Sequence, residues 1–221
     1  MSAEILVARR GVVPYEEARE LQNELAARRR RGEVGDVLLL LEHPPVYTRG
    51  RRSKPEELPM GAAWYEAQGI EVRETDRGGL VTYHGPGQLV AYPIVDLRGY
   101  GGDVHRYVRG LERTMIEALK SAGVRASVIE GLTGVWVGTR KIGSIGLHVS
   151  RGVTTHGLAV NVNNDLQPFE WVVPCGIEGV RMTSLARELG AEQDMDAFAD
   201  ALVAAYAGVF EREPVADSTP A

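Results

Sequence analysis

The chain has 221 residues, 44% of them hydrophobic and 25% charged, which suits one globular domain with its own core. Its net charge of −5 argues against a general nucleic-acid binder, and the longest aliphatic run, Val37 to Leu41, is too short to cross a membrane. A single cysteine excludes an intramolecular disulfide, and the first residues lack the apolar segment of a signal peptide. We expect a cytoplasmic protein that binds neither nucleic acid nor membrane.

The first third of the chain shows strand and helix patterns in turn. Proline is well placed in the first turn of a helix, so Pro14 marks a helix start, and the run DVLLLLE is typical of a buried strand. In chain order we expect a strand over 5–13, a helix over 14–30, a strand over 36–42, an Arg- and Pro-rich loop to residue 59, a short helix over 61–68 and a strand over 71–74.

The remainder is rich in glycine, which accounts for 26 of the 221 residues and is concentrated in 78–87 and 131–157. Such stretches mark places where backbone approaches backbone or ligand. In chain order we expect two strands around a turn at 85–87 within 77–97, a helix over 103–122, strands at 128–129 and 134–137, a hairpin of 141–149 and 153–162, and helices over 183–189 and 195–211.

Helices and strands mix here without strict βαβ alternation, which favours an α+β fold with a mixed sheet over a doubly wound one. No repeat, linker or low-complexity tract divides the chain. We therefore predict one domain over 1–213, followed by a disordered tail over 214–221.

Cys175, the only cysteine, lies in the turn-like string VPCGI. A thiolate is the strongest neutral-pH nucleophile among the side chains, but a lone cysteine is more often a small buried hydrophobe. A nucleophilic role requires a nearby cation or histidine base. Among the three lysines, Lys141 enters a strand of small residues, and an ammonium about 4 Å from the sulfur would stabilise a thiolate by roughly 4 kcal/mol.

The other polar motifs carry weaker signals. The sequence around His84 fits both a structural and a catalytic role. We expect His43 to be structural and His105 to lie on the surface of a helix. No CxxC or HxxxH pair supports a metal site, and the glycine stretch matches no nucleotide-binding loop, so we expect no metal and no cofactor. The basic loop, Arg49 to Lys54, fits either a solvated loop or a docking surface for an acidic partner.

Three blocks resemble the lipoyl(octanoyl) transferase family, also called octanoyl-[acyl-carrier-protein]:protein N-octanoyltransferase. They are RGGLVTYHGPGQLVAYPI (77–94), RKIGSIGLHVSRGVTTHGLAVNV (140–162) and PCGI (174–177), with LLLEHPPVYTRGR as a supporting match. The resemblance implies the fold of the biotin and lipoate protein ligase catalytic domains.

The resemblance also implies a chemistry: transfer of an octanoyl or lipoyl group from acyl carrier protein to a lysine of lipoyl domains. The expected acceptors are the lipoyl domains of 2-oxoacid dehydrogenases and the glycine cleavage H protein, and the enzyme is expected to be a monomer. A thioester would form on Cys175, with Lys141 as proton donor and acceptor. The implied substrate-binding residues are Arg77, Gly78, Gly79, Leu80, Val81, Thr82, Tyr83, His84, Ser144, Ile145, Gly146, Gly157, Leu158 and Ala159.

Physical chemistry agrees with this assignment, because a narrow slot for a saturated chain suits residues that lack side chains, such as Gly146 and Gly157. Two alternatives remain. An ATP-dependent lipoate or biotin protein ligase would share the fold but activate its acid as an adenylate, without a cysteine. A non-enzymatic acyl-binding module would bind without turnover. Transfer in the absence of ATP would exclude the ligase. Turnover of any kind would exclude the acyl-binding module.

Overall fold

The polypeptide alternates short strands with five helices across residues 3–172 and 180–217, the part described in this computed structural model. The elements are β1 (Ala3–Val12), α1 (Tyr15–Arg31), β2 (Asp36–Glu42), β3 (Val46–Arg49), α2 (Ala62–Ala67), β4 (Glu71–Glu74), β5 (Val81–His84), β6 (Gln88–Ile94), α3 (Val104–Ser121), β7 (Ser127–Ile129), β8 (Leu132–Val137), β9 (Arg140–Ser150), β10 (Val153–Asn161), β11 (Arg181–Met182), α4 (Leu185–Leu189), α5 (Met195–Phe210) and β12 (Arg212–Ala216).

The strands form two sheets. The large sheet has the order β12-β1-β2-β6-β10-β9-β8-β7, with β11 added beside β9, and the small sheet has the order β4-β3-β5. Strand β1 runs parallel to both of its neighbours, whereas the pairs from β2 through to β7 are antiparallel. This is the mixed, largely antiparallel sheet of an α+β domain, as the sequence predicts.

Both faces of the large sheet are covered by helices, which explains the unbroken apolar run in β2. Successive strand residues point to opposite faces. Leu38 and Leu40 belong to the cluster that includes residues of α3 and α5, while Leu39 and Leu41 belong to the cluster that includes residues of α1. A strand buried on both faces carries apolar side chains at successive positions rather than at alternate ones.

Helix boundaries follow local capping signals. Asp103 caps α3 by accepting hydrogen bonds from the backbone N–H groups of His105 and Arg106. Ser184 caps α4 in the same way, so this helix starts at Leu185 rather than at residue 183 as predicted. Helix α1 ends at Gly32 in a left-handed conformation, with arginines in its last turn. Among the described residues, no helix is long and apolar enough to span a membrane.

Two segments differ from the sequence-based expectation. The predicted loop before residue 59 contains β3, whose strand character comes from pairing with β4 and β5 rather than from an alternating pattern. The tail expected to be disordered from residue 214 instead continues as β12, where Pro214 and Ala216 lie in parallel register with Ile5 and Val7 of β1. An open sheet edge supplied a partner that local sequence could not reveal. Residues 218–221 lie outside the described part.

Two helical glycines offer a matched test of packing against helix propensity. A Cβ at Gly208 in α5 would meet nothing within 4 Å, whereas a Cβ at Gly110 in α3 would lie 2.5 Å from Cε1 of Phe210. We expect Gly208→Ala to stabilise the protein by about 0.5–1 kcal/mol, since alanine loses less backbone entropy than glycine. Gly110→Ala should instead destabilise it, because the Phe210 ring must leave its packed position against α3. Urea unfolding of both variants measures this, and equal effects would contradict the packing argument.

Candidate active site

A cavity of about 490 Å³ opens between the large sheet, the segment before β5 and the start of α3. Strands β9 and β10 form one wall, and the Arg77–Thr82 segment forms another. Almost all of the site residues expected from the sequence line it: Arg77, Gly78, Gly79, Leu80, Val81, Thr82, His84, Lys141, Ser144, Ile145, Gly146, Gly157, Leu158 and Ala159.

Two expected site residues are not among the lining residues. Side chains alternate between the two faces of β5, so Tyr83 points away from the face of Thr82 and His84. Its ring packs against Tyr47 and Phe169, with ring centroids 5.5 and 5.4 Å away. Cys175 falls in 173–179, outside the described residues. The flanks of that segment, Val172 and Met182, belong to one apolar cluster, and Met182 pairs with Lys141 through β11.

Arg77 is buried and holds the cavity wall to the small sheet. Its guanidinium donates from Nη2 to the backbone oxygen of Thr48 at 2.5 Å and to the hydroxyl at 2.8 Å, and from Nη1 to the Gly78 carbonyl at 3.0 Å. A buried guanidinium needs such partners because desolvation is costly. Arg77 therefore acts here as a brace for the glycine segment that follows it.

Gly146 and Gly157 of the cavity wall allow close approach of backbone segments, one of the two roles expected for the glycine-rich stretches of the sequence. A Cβ at Gly146 would lie 3.0 Å from the Gly78 carbonyl oxygen, and the Gly78 N–H donates to the Leu147 carbonyl at 2.8 Å. A Cβ at Gly157 would clash with the Ala91 carbonyl and lie 2.6 Å from Cδ of Pro93. Side chains at these positions would collide with backbone rather than fill the cavity.

His84 belongs to a buried hydrogen-bonded network that links the two sheets. Its Nδ1 lies 2.7 Å from Oε1 of Gln88, whose amide donates to Asn161 at 2.9 Å, and Asn161 donates to the Thr183 carbonyl at 3.0 Å. Because the Gln88 amide nitrogen is already donating, its oxygen accepts and His84 carries its proton on Nδ1. Burial lowers the pKa of His84 well below its usual range, so the ring is neutral.

A second neutral histidine lies behind it. The Nδ1 of His43 donates to the Val13 carbonyl at 2.7 Å, which leaves Nε2 to accept from the Tyr92 hydroxyl at 2.7 Å. Burial lowers the pKa of His43 to about 4. The structural role expected from sequence fits these contacts, and through them His43 fixes the orientation of Tyr92, which lines the cavity.

His156 is a cavity residue that the sequence reasoning missed. It adopts a left-handed backbone conformation with φ of 57°, its N–H donates to Oε1 of Gln22 at 2.7 Å, and its Nε2 lies 2.7 Å from the Asp76 carboxylate. Hydrogen bonding to His156 lowers the pKa of Asp76 to about 2, while burial lowers the pKa of His156. The sequence feature that could have identified His156 is its position before Gly157 in a glycine-rich hairpin.

Lys141 lies in the same wall, only 5% exposed. Its Nζ is 5.4 Å from the centroid of the Trp136 ring, and its carbonyl accepts a hydrogen bond from the Thr183 N–H at 2.9 Å. Trp136, Tyr15 and Tyr92 also line the cavity and were not singled out from the sequence, and Arg52 of the basic loop lines it as well. The site thus combines a buried cation, neutral histidines and an apolar wall, a setting suited to acid–base chemistry on an apolar substrate.

Comparison with known proteins decides the family. Residues 14–207 match the family model described as the lipoyl protein ligase A/B catalytic domain. The octanoyltransferase of Chloroflexus aggregans is 50% identical over 208 residues, covering 93% of this chain and 94% of that protein. The chain belongs to the octanoyltransferase family. It is an acyltransferase, and the resemblance of its three sequence blocks is confirmed.

Further relatives agree with this membership. The octanoyltransferase of Rubrobacter xylanophilus is 50% identical over 184 residues, covering 82% of each chain. That of Myxococcus xanthus is 46% identical over 222 residues, covering 98% of this chain and 62% of that protein. Both carry the name octanoyltransferase rather than ligase, which disfavours the ATP-dependent alternative.

Solved structures show that the octanoyltransferase fold is shared with the ligases. A bipartite lipoate protein ligase from Thermoplasma acidophilum superposes with a TM-score of 0.75 at 18% identity, covering 100% of this chain and 88% of that one. Biotin protein ligase from Aquifex aeolicus, in complex with biotin and ATP, gives a TM-score of 0.55 at 14% identity, covering 94% of this chain and 70% of that one. At these identities the likeness concerns the fold alone, and it confirms the expected architecture.

The buried neutral histidines predict an acid-sensitive fold. Unfolded His43 titrates near pH 6.5 but folded His43 near pH 4, so between these values only the unfolded state gains a proton. Stability is therefore full above about pH 6.5 and falls as the pH drops towards 4, by up to about 3 kcal/mol for this residue. Urea unfolding at pH 7 and pH 4.5 measures the loss.

His43→Gln is the matched variant for this prediction. It removes one titrating group, so its stability should depend less steeply on pH over the same range, whatever its stability at pH 7. An unchanged slope would contradict the assignment of a neutral buried His43.

Proposed function

We propose that this octanoyltransferase moves an octanoyl group from acyl carrier protein to a specific lysine of lipoyl domains, through a thioester on Cys175 and with Lys141 as proton donor and acceptor. The observation that carries the proposal is the position of Lys141, a nearly buried cation in the wall of the cavity formed by the RGG segment and the β9–β10 hairpin. The expected acceptors include 2-oxoacid dehydrogenases and the glycine cleavage H protein.

Chain connectivity supports the pairing of Cys175 with Lys141. Arg181 and Met182 lie in register with Arg140 and Lys141, so the chain joins β9 beside Lys141 only six residues after Cys175. The described residues Val172 and Met182, on either side of the segment that contains Cys175, belong to one apolar cluster. Six residues of extended chain span about 20 Å, so these anchors are compatible with the proposed pairing.

The proposed reaction conserves protons over two half-reactions. In the first, the Cys175 thiolate attacks the carbonyl of the acyl thioester, the new carbon–sulfur bond forms, and the departing pantetheine sulfur takes a proton from the Lys141 ammonium. In the second, the amine of the acceptor lysine attacks the acyl-enzyme and gives its proton to neutral Lys141. The sulfur of Cys175 leaves as thiolate, and both residues return to their starting states.

The rest of the cavity suits an acyl substrate. Leu80, Ile145 and Leu158 supply apolar wall, while Tyr92 and His84 are fixed in orientation by their hydrogen bonds. A saturated chain gains about 0.8 kcal/mol for each methylene removed from water. We therefore assign chain binding to this apolar wall, and we retain a cytoplasmic location and a monomeric state as predictions.

Intact mass spectrometry tests the covalent step. Mixing the enzyme with octanoyl-acyl carrier protein in the absence of ATP should add the mass of one octanoyl group, and Cys175→Ser should add none under the same conditions. An octanoyl adduct that required ATP would favour ligase chemistry, and normal turnover by Cys175→Ser would overturn the thioester mechanism.

Lys141→Ala tests the proton transfer. We expect a loss of about 100-fold to 10,000-fold in turnover, the usual contribution of a positioned acid–base group. Lys120→Ala is the control, since Lys120 is an exposed residue of α3 whose Nζ lies 3.4 Å from a Glu117 oxygen. Lys120→Ala should turn over normally, and equal activity of the two variants would exclude an acid–base role for Lys141.

The basic loop offers a test of carrier docking. Arg49 belongs to β3 and pairs with Glu74, but Arg52 and Lys54 are exposed, and the Arg52 N–H donates to the Gly79 carbonyl at 3.2 Å beside the cavity. Lys54→Glu should raise KM for the acyl carrier protein several-fold, with a smaller effect at high salt. Arg30→Glu makes the same charge change on α1 and should leave KM unchanged. Equal KM values for the two variants would rule out docking at this loop.

A further inference from the structure

The end of the Lys141 side chain lies against Gly134 of β8, whose backbone conformation is unusual. Gly134 has φ of 122°, a conformation available in practice only to glycine. A Cβ at Gly134 would lie 2.7 Å from Cε and 3.2 Å from Nζ of Lys141. The end of the lysine side chain therefore passes through the space that a side chain at position 134 would occupy.

The register of the sheet changes at the same place. Val135 lies opposite Gly143 and Trp136 opposite Lys141, so the pairing of β8 with β9 contains an irregularity between Val135 and Trp136. Such bulges turn a side chain out of its regular direction and are common beside active sites. Here the irregularity lies where the Trp136 ring and the Lys141 side chain meet.

A buried carboxylate holds this bend in place from α3. Oε1 of Glu112 accepts the Gly134 N–H at 3.0 Å, and Oε2 accepts a hydrogen bond from Arg109 at 2.6 Å. Glu112 is only 1% exposed, so both hydrogen bonds are needed to offset the cost of burying its charge. The backbone at Gly134 is thereby fixed to a helix of the core.

We propose that Trp136 is a positioning residue that holds the Lys141 ammonium in place for proton transfer. The Nζ of Lys141 lies 5.4 Å from the centroid of the Trp136 ring, which is within the range of a cation–π interaction. Such an interaction is stronger where both groups are shielded from water. Trp136 is 2% exposed and lines the cavity together with Lys141. The Gly134 bend leaves room for the ammonium, and the indole face holds it.

A lysine needs such a restraint because its four-carbon side chain has many rotamers. Proton transfer requires the donor and acceptor to be within hydrogen-bonding distance. A mobile ammonium would meet the departing sulfur less often, while substrate binding would be unaffected. The expected signature is therefore a change in kcat without a change in KM. This inference rests on the acid–base role proposed for Lys141.

Two substitutions at position 136 separate positioning from packing. Trp136→Phe keeps an aromatic face and breaks no hydrogen bond among the described residues, because the indole N–H has no partner there. Trp136→Leu keeps an apolar side chain but removes the face. We expect Trp136→Leu to lower kcat about tenfold with KM for the acyl donor unchanged, and Trp136→Phe to stay within about threefold of the original kcat.

Val124→Ala is the stability control, because Val124 belongs to the main core cluster but does not line the cavity. It should lower the melting temperature and leave kcat unchanged, which separates loss of packing from loss of positioning. If Trp136→Leu keeps full kcat while Lys141→Ala is inactive, the positioning role is overturned and the proposed function stands. If Lys141→Ala is fully active, the proposed acid–base function itself fails.

Discussion

The cavity depends on an irregular stretch of the large sheet, where β10 passes Pro93, the penultimate residue of β6. Proline has no N–H to donate to a ladder, so regular pairing is interrupted beside it. The Thr154 hydroxyl donates to the Pro93 carbonyl at 2.6 Å, and the His156 N–H turns away to Gln22 on α1. Regular pairing resumes at Leu158 opposite Ala91.

This interruption organises the residues around it. Gly157 allows β10 to approach the Ala91 carbonyl, which no side chain would permit, and the left-handed conformation of His156 directs its ring to Asp76 beside the cavity. On the neighbouring strand, Gly146 allows the Gly78 backbone to lie against β9. Close backbone contacts therefore define the walls of the cavity.

Buried polar groups give the site its fixed geometry. Arg77, Thr48 and His84 connect the small sheet to the cavity wall, and Gln88 and Asn161 continue the network to the segment beside Lys141. Each buried donor or acceptor in such a network costs free energy unless its partner is in place. Burial also keeps His43 and His84 neutral. Among the described residues that line the cavity, the lysine and arginine side chains are those of Lys141, Arg77 and Arg52.

Several features were determined by the sequence alone. The apolar run of β2, the proline before α1, the Asp103 cap and the glycine-rich hairpin are local signals, so the element order and the α+β class were predictable. Two of the family blocks, 77–94 and 140–162, contain most of the residues that line the cavity, and each block is contiguous in sequence. Only the tertiary structure decided the rest: β12 exists because β1 offers an open edge, Gly157 serves strand approach, and Trp136 meets Lys141 through a sheet irregularity. These depend on contacts between distant segments, which no local pattern encodes.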